Sequence, residues 1–385
     1  MDFAVDPDLE LITDAVGAVC ARFDDDYWSA CDAEHRFPWD FYEAMAAGGW
    51  VGIAIPEEYG GGGRGITEAA TVLRTVAASG AAMNGCSAIH MTIFGLNPVV
   101  VFGNDQLKDA FLPRAAAGEL HVAFGVTEPD AGTDTSRITT RATRDGDGWR
   151  ISGRKIWTSK ALESEVVLLL VRTGEADSGF DGLSLFLVDL DPDHVDIRPI
   201  PKAGRNAVAS CEVFYDGLPV EGWRLVGEEG KGFRHILHGM NPERILLAGE
   251  GVGIGEAALR RAAEYAKDRE VFGRPIGANQ AISHPLALAR MQLRAAWLQT
   301  MEAAWRYDHG LDCGAEANSA KYLAAEACGH ATDAAVQTHG GMGYATEYHV
   351  ERYWREARIM RIAPVSQEMS LNYVAQQVLG LPRSY

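Results

Sequence analysis

The residues best placed to do chemistry begin at Phe124-Gly125-Val126-Thr127-Glu128-Pro129-Asp130-Ala131-Gly132-Thr133-Asp134. Phe124 and Val126 alternate as in a strand. Thr127, Thr133 and Asp134 then offer short hydrogen-bonding side chains, and Gly132 lets the backbone approach a ligand closely. The same types also build ordinary capped turns. Farther on, Gly340-Gly341 can present backbone N–H groups to phosphate oxygens, and Arg269 can pair with them. Arg269 with Phe272-Gly273 equally describes a helix-end cation followed by a glycine cap. Asn241-Pro242-Glu243 has the form of a helix start, with an Asn cap, Pro in the first position and an acid in the first turn.

The elements that must position these residues fall into three blocks: 1–121, 122–229 and 230–385. The first reads as helices with short breaks. Phe37-Pro38-Trp39-Asp40 opens one helix, which ends near Gly48-Gly49. The run Gly60 to Gly63 lacks the Lys-Ser/Thr of a phosphate loop and reads as a plain turn. The second block holds a hairpin signal, Asp145-Gly146-Asp147-Gly148, and strand-like runs at Val166–Val171, Leu183–Leu190 and Glu212–Tyr215, which indicate a small β-sandwich or barrel. In the third block Leu286, Leu293, Trp297, Met301 and Trp305 form one helical stripe, as an antiparallel four-helix bundle requires. Gly249, Gly251, Gly253 and Gly255 approximate a dinucleotide fingerprint. They follow no strand, so close helix packing is the better reading. The fold class is therefore α+β and multidomain: helical, then β, then helical.

The chain has 385 residues and a formal charge of −18. That length supports a large core in two or three domains. The acidity argues against nucleic acid or an anionic membrane as partner. Any anionic ligand must be held by local basic residues and backbone donors. The six cysteines, Cys20, Cys31, Cys86, Cys211, Cys313 and Cys328, are widely spread, with no CxxC pair and no zinc spacing to His. No metal site is expected, and reduced cysteines suit a cytoplasmic protein. The opening Met1-Asp2-Phe3-Ala4-Val5-Asp6 lacks the features of a signal peptide, and no stretch reads as long and apolar enough to span a bilayer.

The Phe124–Asp134 stretch matches, position by position, the first signature of the acyl-CoA dehydrogenase family. Gln337-Thr338-His339-Gly340-Gly341-Met342-Gly343-Tyr344, continued through Glu347, Arg352 and Glu356, matches the second. The chain resembles this family over nearly its whole length, including the turn Pro56-Glu57-Glu58-Tyr59-Gly60-Gly61, which is structural there. The resemblance implies FAD-dependent α,β-dehydrogenation of an acyl-CoA thioester, with electrons passed to an electron-transfer flavoprotein, in a homotetramer or dimer. It places Phe124, Val126, Thr127, Gly132, Thr133, Trp157 and Ser159 around the flavin ring, although Trp157 taken alone reads as a core residue. It places Arg269, Val271, Phe272, Gln280, Gln337, Gly340 and Gly341 near the pyrophosphate and adenosine of a neighbouring subunit's cofactor. Ser366 and Glu368 stand at further flavin positions, and Thr133, Asn241 and Arg244 near the substrate.

The reaction needs a carboxylate to remove a proton from Cα, and a hydrogen-bonded carbonyl so that enolate-like charge is tolerated. Most family members carry this Glu near the C-terminus, where this sequence has Pro364. A smaller branch, resembling isovaleryl-CoA and long-chain acyl-CoA dehydrogenases, places it on a helix just before an Arg. That pair is Glu243-Arg244 here, which makes Pro242 internal to a helix. Glu243 is the candidate base. Glu250, one heptad on and on a similar face, is the second candidate, and Glu368 the third. Pro364 also removes an N–H that relatives donate to the thioester carbonyl. Three alternatives share the fold: a dehydrogenase of acyl-carrier-protein thioesters, a flavin oxidase or monooxygenase, and a non-catalytic subunit of a heteromeric enzyme.

Overall fold

The computed structural model describes residues 6–383. The residues Met1 to Val5, on which the signal-peptide reading rested, lie outside them. Seven helices come first: α1 (Pro7–Cys20), α2 (Asp25–Glu34), α3 (Trp39–Ala47), α4 (Ile66–Val76), α5 (Ala82–Phe94), α6 (Asn97–Phe102) and α7 (Asp105–Ala116). Their starts follow local chemistry. Asp6 accepts from Asp8 N ahead of Pro7, Asp24 from Tyr27 N, and Asn104 from Leu107 N, each satisfying a donor the helix cannot. The run Gly60 to Gly63 folds back on its own chain, with Gly63 N 2.9 Å from Ile55 O and Arg64 N 2.9 Å from Ile53 O. It is a turn, as read.

One expectation is corrected in this block. Ile66–Phe102 is, by length and composition, long and apolar enough to cross a bilayer. The run is not one straight rod: Gly80, with φ 111°, separates α4 from α5. Of its most apolar window, 67 % is buried inside the chain. Leu73, Val76, Ile89 and Ile93 spend that apolar surface on the core shared with the C-terminal helices.

The middle block is a seven-stranded sheet of β1 (Val122–Gly125), β2 (Arg141–Asp145), β3 (Gly148–Ser159), β4 (Val166–Arg172), β5 (Leu183–Asp189), β6 (Val195–Pro199) and β7 (Ser210–Val220). The order is β1-β4-β2-β3-β7-β6, with β5 on the other side of β4. β4 is buried along its whole length, because the two faces serve different cores. Leu168 and Leu170 face a cluster with Leu107, Leu112 and Ile236, whereas Val167 and Leu169 face Trp149, Ile151 and Tyr215 inside the curl of the sheet. The sandwich or barrel of the sequence reading is thus one curled sheet. Asp145-Gly146-Asp147-Gly148 makes the β2–β3 hairpin.

The last block holds α8 (Gly232–Asp268), the small hairpin β8 (Glu270–Val271) and β9 (Arg274–Pro275), then α9 (Gln280–Asp308), α10 (Gly314–His339), α11 (Val350–Ala357) and α12 (Gln367–Tyr373). Three long helices form the bundle, and the short α11 and α12 pack against α10. Leu286, Leu293 and Trp297 are buried as the stripe predicts, but Trp305 is 52 % exposed. Each four-residue step gains about 40° on the helix, so Trp305 has turned roughly 80° from Trp297. The glycines of α8 are packing residues. A Cβ on Gly253 would sit 2.4 Å from Arg74 O of α4, and one on Gly255 2.5 Å from Leu293 Cδ2 of α9. They lie well inside α8 and not at a strand-to-helix turn, so packing is their role and the dinucleotide pattern lacks its context.

Candidate active site

The candidate base sits in mid-helix. α8 runs without a break from Gly232, so Pro242 is internal and Asn241-Pro242-Glu243 is not a helix start. Asn241 therefore caps nothing; its Oδ1 lies 3.2 Å from Arg244 Nη1, which also donates to Met240 O at 3.0 Å. Arg244 Nε is buried without a partner, and burial draws the guanidinium's pKa down. No carboxylate pairs with Arg244 among the described residues, which leaves its charge available to a ligand.

Glu243 is partly buried and held from one side. Its Oε2 lies 2.8 Å from His90 Nε2, and His90 Nδ1 lies 2.7 Å from Glu250 Oε1. The seven-residue spacing puts both acids on one face of α8, and His90 on α5 bridges them. Glu250 is 1 % exposed and Glu243 is 24 % exposed. Burial draws the imidazole pKa down, but the two carboxylates raise it further, to well above the ordinary histidine value. Glu243 Oε1 has no bonded partner among the described residues. Sequence reasoning missed His90. The available signal was an ionisable side chain inside the apolar run Ala88-Ile89-His90-Met91-Thr92-Ile93, which demands a buried polar partner.

The first signature forms a wall close by. Phe124 and Val126, half-buried, share a cluster with Met240 and Phe233 of α8. Thr127 O accepts from Ile156 N at 2.9 Å, which ties the signature to β3 just ahead of Trp157. Trp157 itself is 53 % exposed at a positive φ of 62°, where β3 breaks register with β7. It is not the core residue its type suggests. Gly132 and Thr133 are exposed at the rim. Ser159 Oγ accepts from Arg205 Nη2 at 3.0 Å, and Arg205 Nη1 reaches Ser87 Oγ of α5 at 3.3 Å. Lys160 Nζ, fully buried, donates to Ala88 O at 3.0 Å. The edge of β3 carrying Trp157 and Ser159 is therefore fastened to α5 two residues before His90.

Two signature acids turn out to be structural. Glu128 accepts from Thr139 N, Thr140 N and Lys155 Nζ at 2.8, 2.9 and 2.9 Å. Burial raises its pKa, but Lys155 and the threonine donors lower it to about 2. Glu356 accepts from Met83 N at 2.7 Å and Asn84 Nδ2 at 2.7 Å, while Arg352 donates to Gly80 O at 2.8 Å. The second signature thus locks the α4–α5 kink and sets where α5 presents His90.

The remaining candidates lie elsewhere. Arg269, Val271 and Phe272 project from the β8–β9 hairpin, with Phe272 completely exposed. Arg269 forms no ion pair among the described residues. Gln280 at the start of α9, and Gln337, Gly340 and Gly341 at the end of α10, are also exposed. Twenty-five residues of unbroken helix separate Glu243 from the end of α8, a span of about 38 Å. Ser366 caps α12, and Glu368 is exposed in its first turn. Lys321 of α10 faces both Glu368 and Arg244, so α12 lies on the Arg244 side of the site. Pro364 lies exposed in the loop before α12. All six cysteines are free and buried, and the described residues hold no His, Cys, Asp or Glu group suited to a metal ion.

Three family models cover the chain: "Acyl-CoA dehydrogenase, N-terminal domain" at residues 6–119, the middle domain at 123–218, and the C-terminal domain at 230–379. The acyl-CoA dehydrogenase fadE12 of Mycobacterium bovis is 42 % identical over 376 residues, 96 % of each chain. The structure of butyryl-CoA dehydrogenase from Megasphaera elsdenii superposes with a TM-score of 0.94 at 28 % identity, covering 98 % of this chain and 100 % of that one. A glutaryl-CoA dehydrogenase complexed with glutaryl-CoA gives 0.93 at 29 % identity, covering 100 % and 98 %.

Proposed function

Since the chain belongs to the acyl-CoA dehydrogenase family and is an oxidoreductase acting on acyl-CoA, we propose that it catalyses FAD-dependent α,β-dehydrogenation of an acyl-CoA thioester and passes the electrons to an electron-transfer flavoprotein. The observation that carries this reading is the state of Glu243. One carboxylate oxygen is fixed by a hydrogen bond from His90, and the other has no partner among the described residues, on a side chain that is only partly buried. A half-buried carboxylate so held is a general base for a proton on carbon.

The residues present fit FAD. Trp157 holds a flat ring out of the core on strained backbone, which another flat ring would cover. Phe124, Val126, Thr127, Gly132, Thr133 and Ser159 complete that wall. When bound there, FAD supplies a hydride acceptor for Cβ. The protein's part is to place the substrate, with Arg244 and Asn241 beside Glu243, and to take the Cα proton on Glu243 Oε1. Pro364 supplies no N–H, so the thioester carbonyl takes its hydrogen bonds from other donors. Arg269, Val271, Phe272, Gln280, Gln337, Gly340 and Gly341 belong to the opposite end of α8 from Glu243. They suit the phosphates and adenosine of a neighbouring copy's cofactor, in a homotetramer or dimer.

The test is direct. The purified protein is expected to be yellow and to bleach anaerobically with its acyl-CoA substrate. Glu243→Gln should stay yellow and fail to bleach. A variant that bleaches normally would refute the base assignment, and a colourless protein that takes up no added FAD would refute the cofactor. Electron-transfer flavoprotein should restore the colour after bleaching, without consumption of oxygen.

A further inference from the structure

Glu250 is buried, and it occupies the second nitrogen of the ring that holds Glu243. Two nitrogen–carboxylate contacts, at 2.8 and 2.7 Å, each require a proton between the atoms. The three groups therefore share two protons and carry one net negative charge. A carboxylate gripped by an imidazolium alone would be a weaker base, because the nearby positive charge favours its ionised form. A second carboxylate behind the ring offsets that charge while the grip remains.

The surroundings supply few other charges. Cys86, one turn earlier on α5, faces Glu250 as a buried thiol whose pKa is pushed well up, by burial first and by Glu250 next. Arg205, from the loop before β7, faces Glu250 and lies 3.3 Å from Ser87 Oγ. Arg244 faces Glu243 from the same helix. None of these bonds the ring; among the described residues, His90 alone touches both acids.

We propose that His90 and Glu250 are positioning residues for the dehydrogenation: Glu250 holds the imidazole through Nδ1, the imidazole holds Oε2 of Glu243 through Nε2, and Oε1 is left to take the Cα proton. This rests on Glu243 being the base. No bond to carbon forms or breaks at His90 or Glu250. Their work is to fix which oxygen faces the substrate and to keep the gripped carboxylate basic.

The experiment is anaerobic bleaching of the holoenzyme by acyl-CoA in a stopped-flow instrument, over the pH range in which the protein stays folded. Glu250→Gln keeps the side-chain volume and an acceptor for Nδ1 but removes the charge. The limb of the rate profile set by ionisation of the base should move to lower pH, and the plateau rate should fall. His90→Gln keeps one donor toward Glu243 but cannot bridge. Its bleaching rate should fall roughly tenfold to a hundredfold, the scale for a misplaced reacting group, with the dissociation constant for acyl-CoA unchanged. Retained flavin and a cooperative melt would show that each variant is folded. If Glu243→Gln is inert but Glu250→Gln reproduces the wild-type profile in rate and position, the base stands and the clamp is refuted. If Glu243→Gln bleaches normally, the base reading itself has failed, whatever the other two variants do.

Discussion

Removing the ion pair beneath Val126 and β3 should be nearly harmless, whereas removing half of it should not. Lys155 Nζ lies 2.9 Å from Glu128 Oε1 and 2.9 Å from Val126 O, and both side chains are buried. Seen from Glu128 the site is stabilising: its carboxyl falls from 4.5 to about 2 despite burial. Seen from Lys155 it is destabilising: burial takes the amine from 10.5 to about 8 despite Glu128. At about 1.4 kcal/mol per pKa unit, each shift is worth ~3 kcal/mol, with opposite sign. The Glu128–Lys155 attraction enters both shifts but acts once, so the charged pair is no more stabilising than a well-packed neutral replacement, as is common for buried ions. Lys155→Met or Glu128→Gln alone should cost ~3–5 kcal/mol, because each strands a buried charge. The double variant should cost only ~1 kcal/mol, the value of a single lost hydrogen bond. Urea unfolding at fixed protein and flavin concentration measures the cycle. Additive losses in the double variant would refute the reasoning. The pH dependence has a fixed sign. The folded pKa of Glu128 is depressed, so its stabilisation is complete above pH 4.5 and disappears as pH falls toward 2. Wild type should therefore lose more stability over that window than Glu128→Gln does. The burden of Lys155 is present below about pH 8 and is relieved as pH rises toward 10.5.

Two further outcomes follow from packing and exposure. Gly253→Ala places a Cβ 2.4 Å from Arg74 O and 3.0 Å from Ala78 N, both main chain; α4 must move, at a cost of ~1–3 kcal/mol in thermal unfolding. Gly251→Ala meets Ala324 O at an ordinary 3.5 Å and should gain up to ~1 kcal/mol from helix propensity; equal effects at the two sites would refute the packing account. Trp157→Ala, at a half-exposed position, should change stability by less than ~0.5 kcal/mol yet lower the flavin retained after gel filtration. Full retention would show that the indole does not face the ring.

The two signatures made the family legible, because they are local strings of fixed residue type, and hydrophobic periodicity with turn signals made the helix–sheet–helix order legible. Glu243-Arg244 was equally legible as a pair. Its local chemistry favours a helix start, and only the length of α8 shows Pro242 to be internal. Trp305 was misread because a four-residue step drifts off a helical face. Trp157 by its type alone suggests burial; the resemblance assigned it to a ligand face, and it is exposed. The bilayer reading failed differently: it found no run long and apolar enough, yet Ile66–Phe102 meets that test once α4 and α5 are taken together, and only the packing shows what covers it.

What the sequence by itself determined is therefore residue chemistry and periodicity: where the acids, the glycine ridge and the strand alternation lie. What the tertiary structure decided is which of those residues meet. His90 and Glu250 are 160 positions apart, and the ring bridges two acids where α5 is held by Arg352 and Glu356 at the α4–α5 kink and by Lys160 and Arg205 from the sheet side. Hydrogen bonds act over about 3 Å, and no spacing along a chain specifies such an approach between distant helices. Their packing does.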